Sequence, residues 1–359
     1  MIAVTFINLL AVFLTFLSRS QKFRYCFGLS IIILICFYSI RFNYGNDYPA
    51  YLSMFKEINS YATVTYSTDT YDIERGWVFL NRLFAPLGFF SLVIFITIFQ
   101  FGTIYWLIKK YVDRNYRFIA LFIYLFSSGL MLTMLSMMRQ CFAINIILLS
   151  LPFILNRKFW ISLPMILLAA QFHQSAYMML MMPFTIFLQK LDYKTYRIIF
   201  LALFALLFLM RGFLHNIIGN IIESYFGKYS VYFEEDQRLL LGSGLGFIFN
   251  TIFFCLLVIF DRQFNNQQSW FIKMSALSYM FIPLGFITPS IGRVGTYFSV
   301  INPIGIISVF KNVKTNLIIL LLCILYILIT LYGYFGFFYS EVFHSGFFEY
   351  HTIFESLWQ

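Results

Sequence analysis

Charged side chains are scarce in this chain: Asp, Glu, Lys and Arg make up only 11% of its 359 residues, against 61% hydrophobic and 22% aromatic. A soluble chain of that length needs far more polar surface, so the balance excludes a soluble globular protein and leaves a polytopic membrane protein. Acidic residues are the rarer sign, 15 against 25 basic, for a net charge of +10. A nucleic-acid partner would gather that charge into one patch. Here the basic residues are scattered through short loops, the pattern of membrane orientation, and no nucleic acid is expected. Cysteine is equally uninformative for metal: none of the five has CxxC spacing, Cys36, Cys141, Cys255 and Cys323 lie inside apolar runs, and Cys26 sits at the edge of one. They read as small apolar side chains, and no metal or other cofactor is expected. The chain also lacks a basic region ahead of its first apolar run; Arg19, Lys22 and Arg24 follow it, which predicts an uncleaved anchor with its N-terminus outside. No internal repeat is visible, which counts against the inverted-repeat transporters.

What is present is a succession of apolar runs, near 2–18, 26–40, 88–108, 117–135, 140–155, 159–171, 175–188, 197–210, 244–260, 271–287, 294–310 and 316–337. They predict an all-α bundle of about 12 transmembrane helices, within a range of 10–14, forming one integral membrane domain over residues 1–359 with both termini extracytoplasmic. The loops this threading puts inside carry Arg19, Lys22 and Arg24; Lys109, Lys110, Arg114 and Arg117; Arg157 and Lys158; Lys190, Lys194 and Arg197; Arg262 and Lys273; and Lys311 and Lys314. Only Asp113, Asp192 and Asp261 oppose them, so every inner loop is net positive. Two outer loops are long, 41–87 and 211–243. The second holds "FLHNIIGNIIESYFGKY", whose Leu214, Ile217, Ile218, Ile221 and Ile222 form a stripe suited to lying along the interface.

The threading places all four histidines and nearly all carboxylates outside. ATP and nucleotide sugars are absent there, so a donor has to arrive already activated. "GSGLG" at Gly242 to Gly246 lacks the strand-turn-helix setting of a nucleotide loop and reads as entry into a helix.

Arginines abut predicted outer span ends at Arg41, at Arg75 or Arg82, and at Arg139, Arg211 and Arg293. Orientation selects against positive charge on this side. A guanidinium near lipid is costly unless it is paired, snorkels to headgroups or faces water, and its planar fork matches phosphate oxygens. His173, in "QFHQSAY", sits where one short span turns into the next; it is either an interfacial residue or a base toward a hydroxyl. Asp47, in "YGNDY", is either a turn residue after Gly-Asn or a carboxylate facing substrate. Glu74 beside Arg75 opens "ERGWVFLNRLF" either as a helix-start ion pair or as a site residue. The run Glu234–Glu235–Asp236 reads as solvated loop, and the clusters Met131 to Met138 and Met178 to Met182 as packing.

"RFNYGNDYPAYLSMF", "ERGWVFLNRLF", "MRQCFAINIILLSLPFILNRKFW", "LLAAQFHQSAYMMLMMPF", the later "GRVGTYF" and the closing "YHTIFESLW" resemble, in that order, the EpsG family of membrane proteins, which includes Wzy-type polysaccharide and O-antigen polymerases. The likeness covers most of the chain. Where the family usually shows Glu-Pro-Gly, this chain has Glu74-Arg75-Gly76. The resemblance implies a GT-C-like helical bundle in a bacterial cytoplasmic membrane, acting outside on oligosaccharide repeat units carried by undecaprenyl diphosphate. It places Asp47, Glu74, Arg139, His173 and Arg293 at motif positions, with Asp47, Glu74 and His173 as catalytic candidates. Arg139 and Arg293 are expected to hold the diphosphate, joined by Arg41, Arg211 and Gln140. Membrane lipids, a chain-length regulator and a flippase are the expected partners. Two alternatives stay open, an O-antigen ligase-like transferase and a flippase or exporter of lipid-linked sugar.

Overall fold

The computed structural model of the chain describes residues 1–60, 73–127, 130–217, 245–259, 266–285, 289–310 and 317–356. They fall into two compact units, one of Met1–Phe184 with Thr330–Gln359 and one of Thr185–Ile329.

In the first unit α1 (Ile2–Leu17) and α2 (Cys26–Ser39) pack side by side. A short strand β1 (Arg41–Phe42) and helices α3 (Tyr48–Ser60) and α4 (Arg75–Phe84) lead into the long α5 (Phe89–Tyr111). Then come α6 (Arg117–Phe126), α7 (Met131–Ser136), α8 (Met138–Leu155) and α9 (Phe159–Ala170). With few charges available, polar side chains join the helices: Thr15 and Ser30 share a hydrogen bond of 2.9 Å, Tyr38 donates to Asn8 Oδ1 at 2.9 Å, and Gln100 donates to Tyr124 at 2.8 Å. Such bonds substitute for the hydrophobic drive that lipid removes. Large apolar side chains such as Phe6, Phe13, Leu29 and Ile32 are left exposed, as lipid-facing surface requires.

The second unit contains α10 (Tyr193–Leu209), α11 (Arg211–Ile217), α12 (Leu245–Ile259), α13 (Asn266–Gly285), α14 (Pro289–Ser299) and α15 (Asn302–Phe310). Helix α13 is its hub, contacting α10, α12, α14 and α15. A Cβ on Gly305 would lie 2.5 Å from the Phe271 carbonyl, so α13 and α15 meet backbone to backbone. Lys273, expected in an inner loop, is instead buried on α13: its ammonium donates to the Leu188 and Leu191 carbonyls at 2.9 and 3.3 Å and lies 5.0 Å over the Tyr196 ring.

Between α9 and α10 runs 3-10 helix, Gln174–Lys190, with Pro183 inside it. Helix α16 (Leu317–Tyr339) is followed by α17 (His344–Phe347), strand β2 (His351–Thr352) and α18 (Ile353–Ser356).

Among the described residues, four helices are long and apolar enough to cross a membrane: Gln21–Ser39, Phe89–Tyr111, Met138–Leu155 and Leu320–Tyr339. Counting α10 and α11, bent by 68°, as one span makes five, and Ile2–Leu17, Phe159–Ala170 and Gly246–Ile259 are apolar but shorter. Two of the apolar runs behind the expectation of about twelve spans are broken in the structure. The run at 117–135 is divided between α6 and α7, and the run at 294–310 is divided at Ile301 between α14 and α15. The chain is a multi-pass helical membrane protein. The interfacial stripe proposed for 211–243 and the acidic run at 234–236 lie largely or wholly outside the described residues.

Strand β2 pairs antiparallel with β1, Arg41 opposite Thr352 and Phe42 opposite His351. The Ile353 N–H extends the ladder to the Ile40 carbonyl at 3.0 Å, Gly45 N–H donates to Gly346 O at 2.8 Å, and Asn46 donates to Val342 O at 2.7 Å. Tyr44 packs edge-on against Phe347 and Tyr350, at 5.2 and 4.9 Å. The closing aromatic motif is thus a clasp over the opening one.

Candidate active site

Downstream of β1 the chain turns sharply, with Asn43 at φ 49° and Gly45 at φ 110°, the left-handed region that glycine and asparagine tolerate. A Cβ on Gly45 would lie 3.1 Å from Ser136 Cα, so the turn rests directly on α7. That contact aligns a reciprocal pair: Asp47 N–H donates to Ser136 Oγ at 3.0 Å, and Ser136 Oγ donates back to Asp47 Oδ2 at 3.1 Å. Asp47 is exposed at the head of α3, its carboxylate oriented by one oxygen. One turn along, Tyr51 is buried with its ring 5.5 Å from that of Trp77, and its Oη accepts the Arg139 backbone N–H at 3.5 Å. Burial pushes the phenol up, so it stays protonated at neutral pH.

Glu74 occupies the N-cap of α4 but does not cap its own helix. Its carboxylate turns away: Oε2 accepts from Arg139 Nη1 at 2.8 Å, Oε1 accepts the Gln174 N–H at 2.9 Å, and His173 Nδ1 lies 3.4 Å from Oε1. Gly76 makes this approach possible. Its N–H donates to Gln171 O at 2.8 Å, and a Cβ there would lie 2.6 Å from the same oxygen. Arg75 stands where the family has proline, the first position of α4, a site that suits proline because its N–H has no helical partner. Arginine also fits there, so the departure leaves Glu74 and Gly76 in place.

Arg139 is held at the start of α8 by the break at Met137 (φ −82°, ψ 66°) that separates α7 from α8. A cation at a helix N-terminus opposes the helix dipole, which Glu74 offsets. His173 follows the end of α9, with its N–H on Ala169 O at 3.2 Å. Phe172 beside it packs edge-on against Phe142 of α8 at 4.6 Å. The Glu74 side chain is 7% exposed, whereas those of Arg139 and His173 are 25% and 27% exposed. One nearly buried carboxylate therefore presents two basic groups, each with an open face. Burial raises the Glu74 pKa, but His173, the Arg139 charge and the Gln174 N–H outweigh it and hold the carboxyl below its ordinary range. His173 Nδ1 and Arg139 Nε are buried without an aligned hydrogen bond. A carboxylate beside Nδ1 favours the tautomer with its proton there, leaving Nε2 as the basic nitrogen.

Asp47, Glu74, Arg139 and His173 thus share one neighbourhood of the first unit, linked through Ser136, Tyr51 and Gln174. Of the other expected residues, Arg41 and Gln140 belong to the first unit and Arg211 and Arg293 to the second. Arg41 is 1% exposed, its Nη1 donating to Tyr38 O at 2.7 Å and Thr97 Oγ1 at 2.6 Å, so it points inward instead of presenting an open fork. Gln140 is buried on α8. Arg211, in the second unit, donates to Phe208 O at 2.8 Å and lies 4.4 Å over the Phe208 ring, closing the end of α10. Arg293 is exposed on α14, also in the second unit. Sequence reasoning missed Tyr51, Ser136 and Gly76. Tyr51 was findable as the residue one helical turn after Asp47; Ser136 and Gly76 act through close approaches that no pattern signals. Among the described residues, no group of three metal-ligating side chains occurs.

No curated protein and no solved structure matches the chain. The EpsG family model matches residues 24–352, from just ahead of α2 to the end of β2, and so takes in every segment that builds the cluster. The chain belongs to the EpsG family, whose members are Wzy-like polymerases.

Proposed function

We propose that this protein polymerises oligosaccharide repeat units carried on undecaprenyl diphosphate, at the outer face of a bacterial cytoplasmic membrane. The observation that carries this reading is the nearly buried carboxylate of Glu74, bracketed by the partly exposed Arg139 and His173. A glycosyl donor linked to a lipid diphosphate brings its own activation, and the departing diphosphate needs a cation. Arg139 supplies it; a well-placed group of this kind stabilises a transition state by roughly 3–4 kcal/mol. His173 Nε2 takes the proton of the attacking hydroxyl as the new glycosidic bond forms and the bond to the diphosphate breaks, worth about 10²–10⁴-fold in rate. Glu74 orients the imidazole and stabilises it once protonated. Asp47, exposed and anchored by Ser136, accepts hydrogen bonds from the acceptor sugar. Attack opposite the leaving group inverts the anomeric centre. Arg293, exposed on α14, is a second candidate for the diphosphate.

The test is direct. Purified protein in liposomes, supplied with lipid-linked repeat units and neither nucleotide nor metal, yields a ladder of products. Arg139→Ala and His173→Ala proteins present at equal amount yield single units only. A full ladder from both variants overturns the reading. Transfer of one finished glycan to a different acceptor points to a ligase, and movement of unpolymerised units across the bilayer to a flippase.

A further inference from the structure

Helices α3 and α4 pack against each other in the first unit, but their outer faces differ in kind. Helix α3 exposes Pro49, Ala50, Ser53, Lys56 and Ser60, a surface suited to water. Helix α4 exposes Arg75, Phe79, Arg82 and Leu83, spaced i, i+4, i+7 and i+8, so they share one side of the helix, and the turn after it exposes Ala85, Pro86 and Leu87. Phe79, Leu83 and Leu87 are 65%, 58% and 68% exposed, too much apolar surface for an aqueous loop. Residues 75–88 contain no Asp or Glu, so the two arginines on this side are offset by no carboxylate from their own segment. Only Gly88 separates Leu87 from Phe89, where α5 begins its apolar course across the bilayer.

We infer that α4 is an interfacial helix, with Phe79, Leu83 and Leu87 seated at the boundary of headgroups and acyl chains and Arg75 and Arg82 bound to the phosphates of anionic bilayer lipids. Aromatic and leucine side chains on one face with arginines among them fit that depth, and the arginines fit its charge. Continuity with α5 places the helix at the membrane surface, because its C-terminal end is where a span starts. Since Glu74 is the residue just before α4, the seat fixes how far the carboxylate stands from the headgroup plane. This holds whatever reaction the site performs.

A photoreactive p-benzoylphenylalanine at Phe79, at Leu83 or at Lys56 of the full chain tests it. The protein is reconstituted in vesicles of equal parts phosphatidylglycerol and phosphatidylethanolamine, illuminated and digested. Phospholipid adducts are expected on the peptides from positions 79 and 83 and none from position 56. The adduct at 83 is enriched in phosphatidylglycerol, and R75Q/R82Q returns it to the mixing ratio. Absence of lipid adducts at 79 and 83, crosslinks there to protein, or adducts equal to those at 56 overturn the interfacial seat. An adduct at the mixing ratio in the unsubstituted chain overturns the role of the arginines.

Discussion

Gly76 approaches Gln171 so closely that its N–H bonds the Gln171 carbonyl at 2.8 Å and a methyl group there would sit 2.6 Å from that oxygen. The contact is backbone to backbone, so no side-chain rotation relieves it. Gly76→Ala is expected to push α4 off the 171–174 turn, at a cost of roughly 1–3 kcal/mol for an overpacked contact. Glu74 then draws away from His173, and polymer yield drops more than membrane level does. Comparing the two by immunoblot and product gel checks it.

Glu74→Gln keeps the shape but removes the charge between Arg139 and His173. Turnover is expected to fall by about 10²–10⁴-fold, the range of assisted proton transfer, with the KM for lipid-linked substrate changing far less. A loss confined to KM would mean that Glu74 serves binding and not the orientation of His173.

The Glu74 carboxyl is held below its ordinary pKa, so its linkage has a definite sign. The stability it contributes is fully present above the unfolded-state carboxylate pKa, near 4.3, and is lost as pH falls through the lower folded value. The gap in melting temperature between the native protein and Glu74→Gln is expected to narrow as pH falls below about 5, where the carboxyl takes up its proton. Melting in detergent below about pH 5 gives the answer; a gap that fails to narrow there contradicts a carboxylate held ionised by its partners.

Arg139 and Glu74 act as one unit. Arg139→Ala leaves a nearly buried carboxylate without its guanidinium partner, so the single variant is destabilised more than Arg139→Ala/Glu74→Gln predicts by addition. Residues in direct contact couple by about 0.5–3 kcal/mol, and a double-mutant cycle on thermal stability measures it.

Arg41 tests whether a motif arginine holds substrate or structure. Its Nη1 is bonded to Tyr38 O and Thr97 Oγ1 in the interior. Thr97→Val is expected to lower stability by about 1–3 kcal/mol, because a bond to a charged group is lost. Per folded molecule, activity stays unchanged. A variant that melts normally but fails to polymerise would return Arg41 to the substrate.

Much of the site was readable from residue order. Arg139 and His173 each stand between two apolar runs and Asp47 follows one closely, and ends of runs are where charges can meet; Glu74, in the middle of the loop 41–87, carried no such signal. What could not be read was direction. Arg41 and Arg139 look alike in sequence, each at the edge of a greasy stretch, yet Tyr38, Thr97 and the C-terminal clasp enclose one while Glu74 holds the other partly open. Helix breaks were hidden for a related reason. Ile301 is apolar and lies within the run at 294–310, so a hydropathy pattern passes over the turn it makes. The C-terminal strand was hidden too, since a pair of residues leaves no periodicity, and its partner lies at the other end of the chain.

That strand has a consequence for biosynthesis. The turn carrying Asp47 is fastened by Gly346 O and by the pairing of Arg41 with Thr352, so a nascent chain still on the ribosome lacks its fastener. Helices inserted early wait, unlatched, for the last segment to emerge. A polypeptide stopped short of residue 352 would enter the bilayer but stay idle.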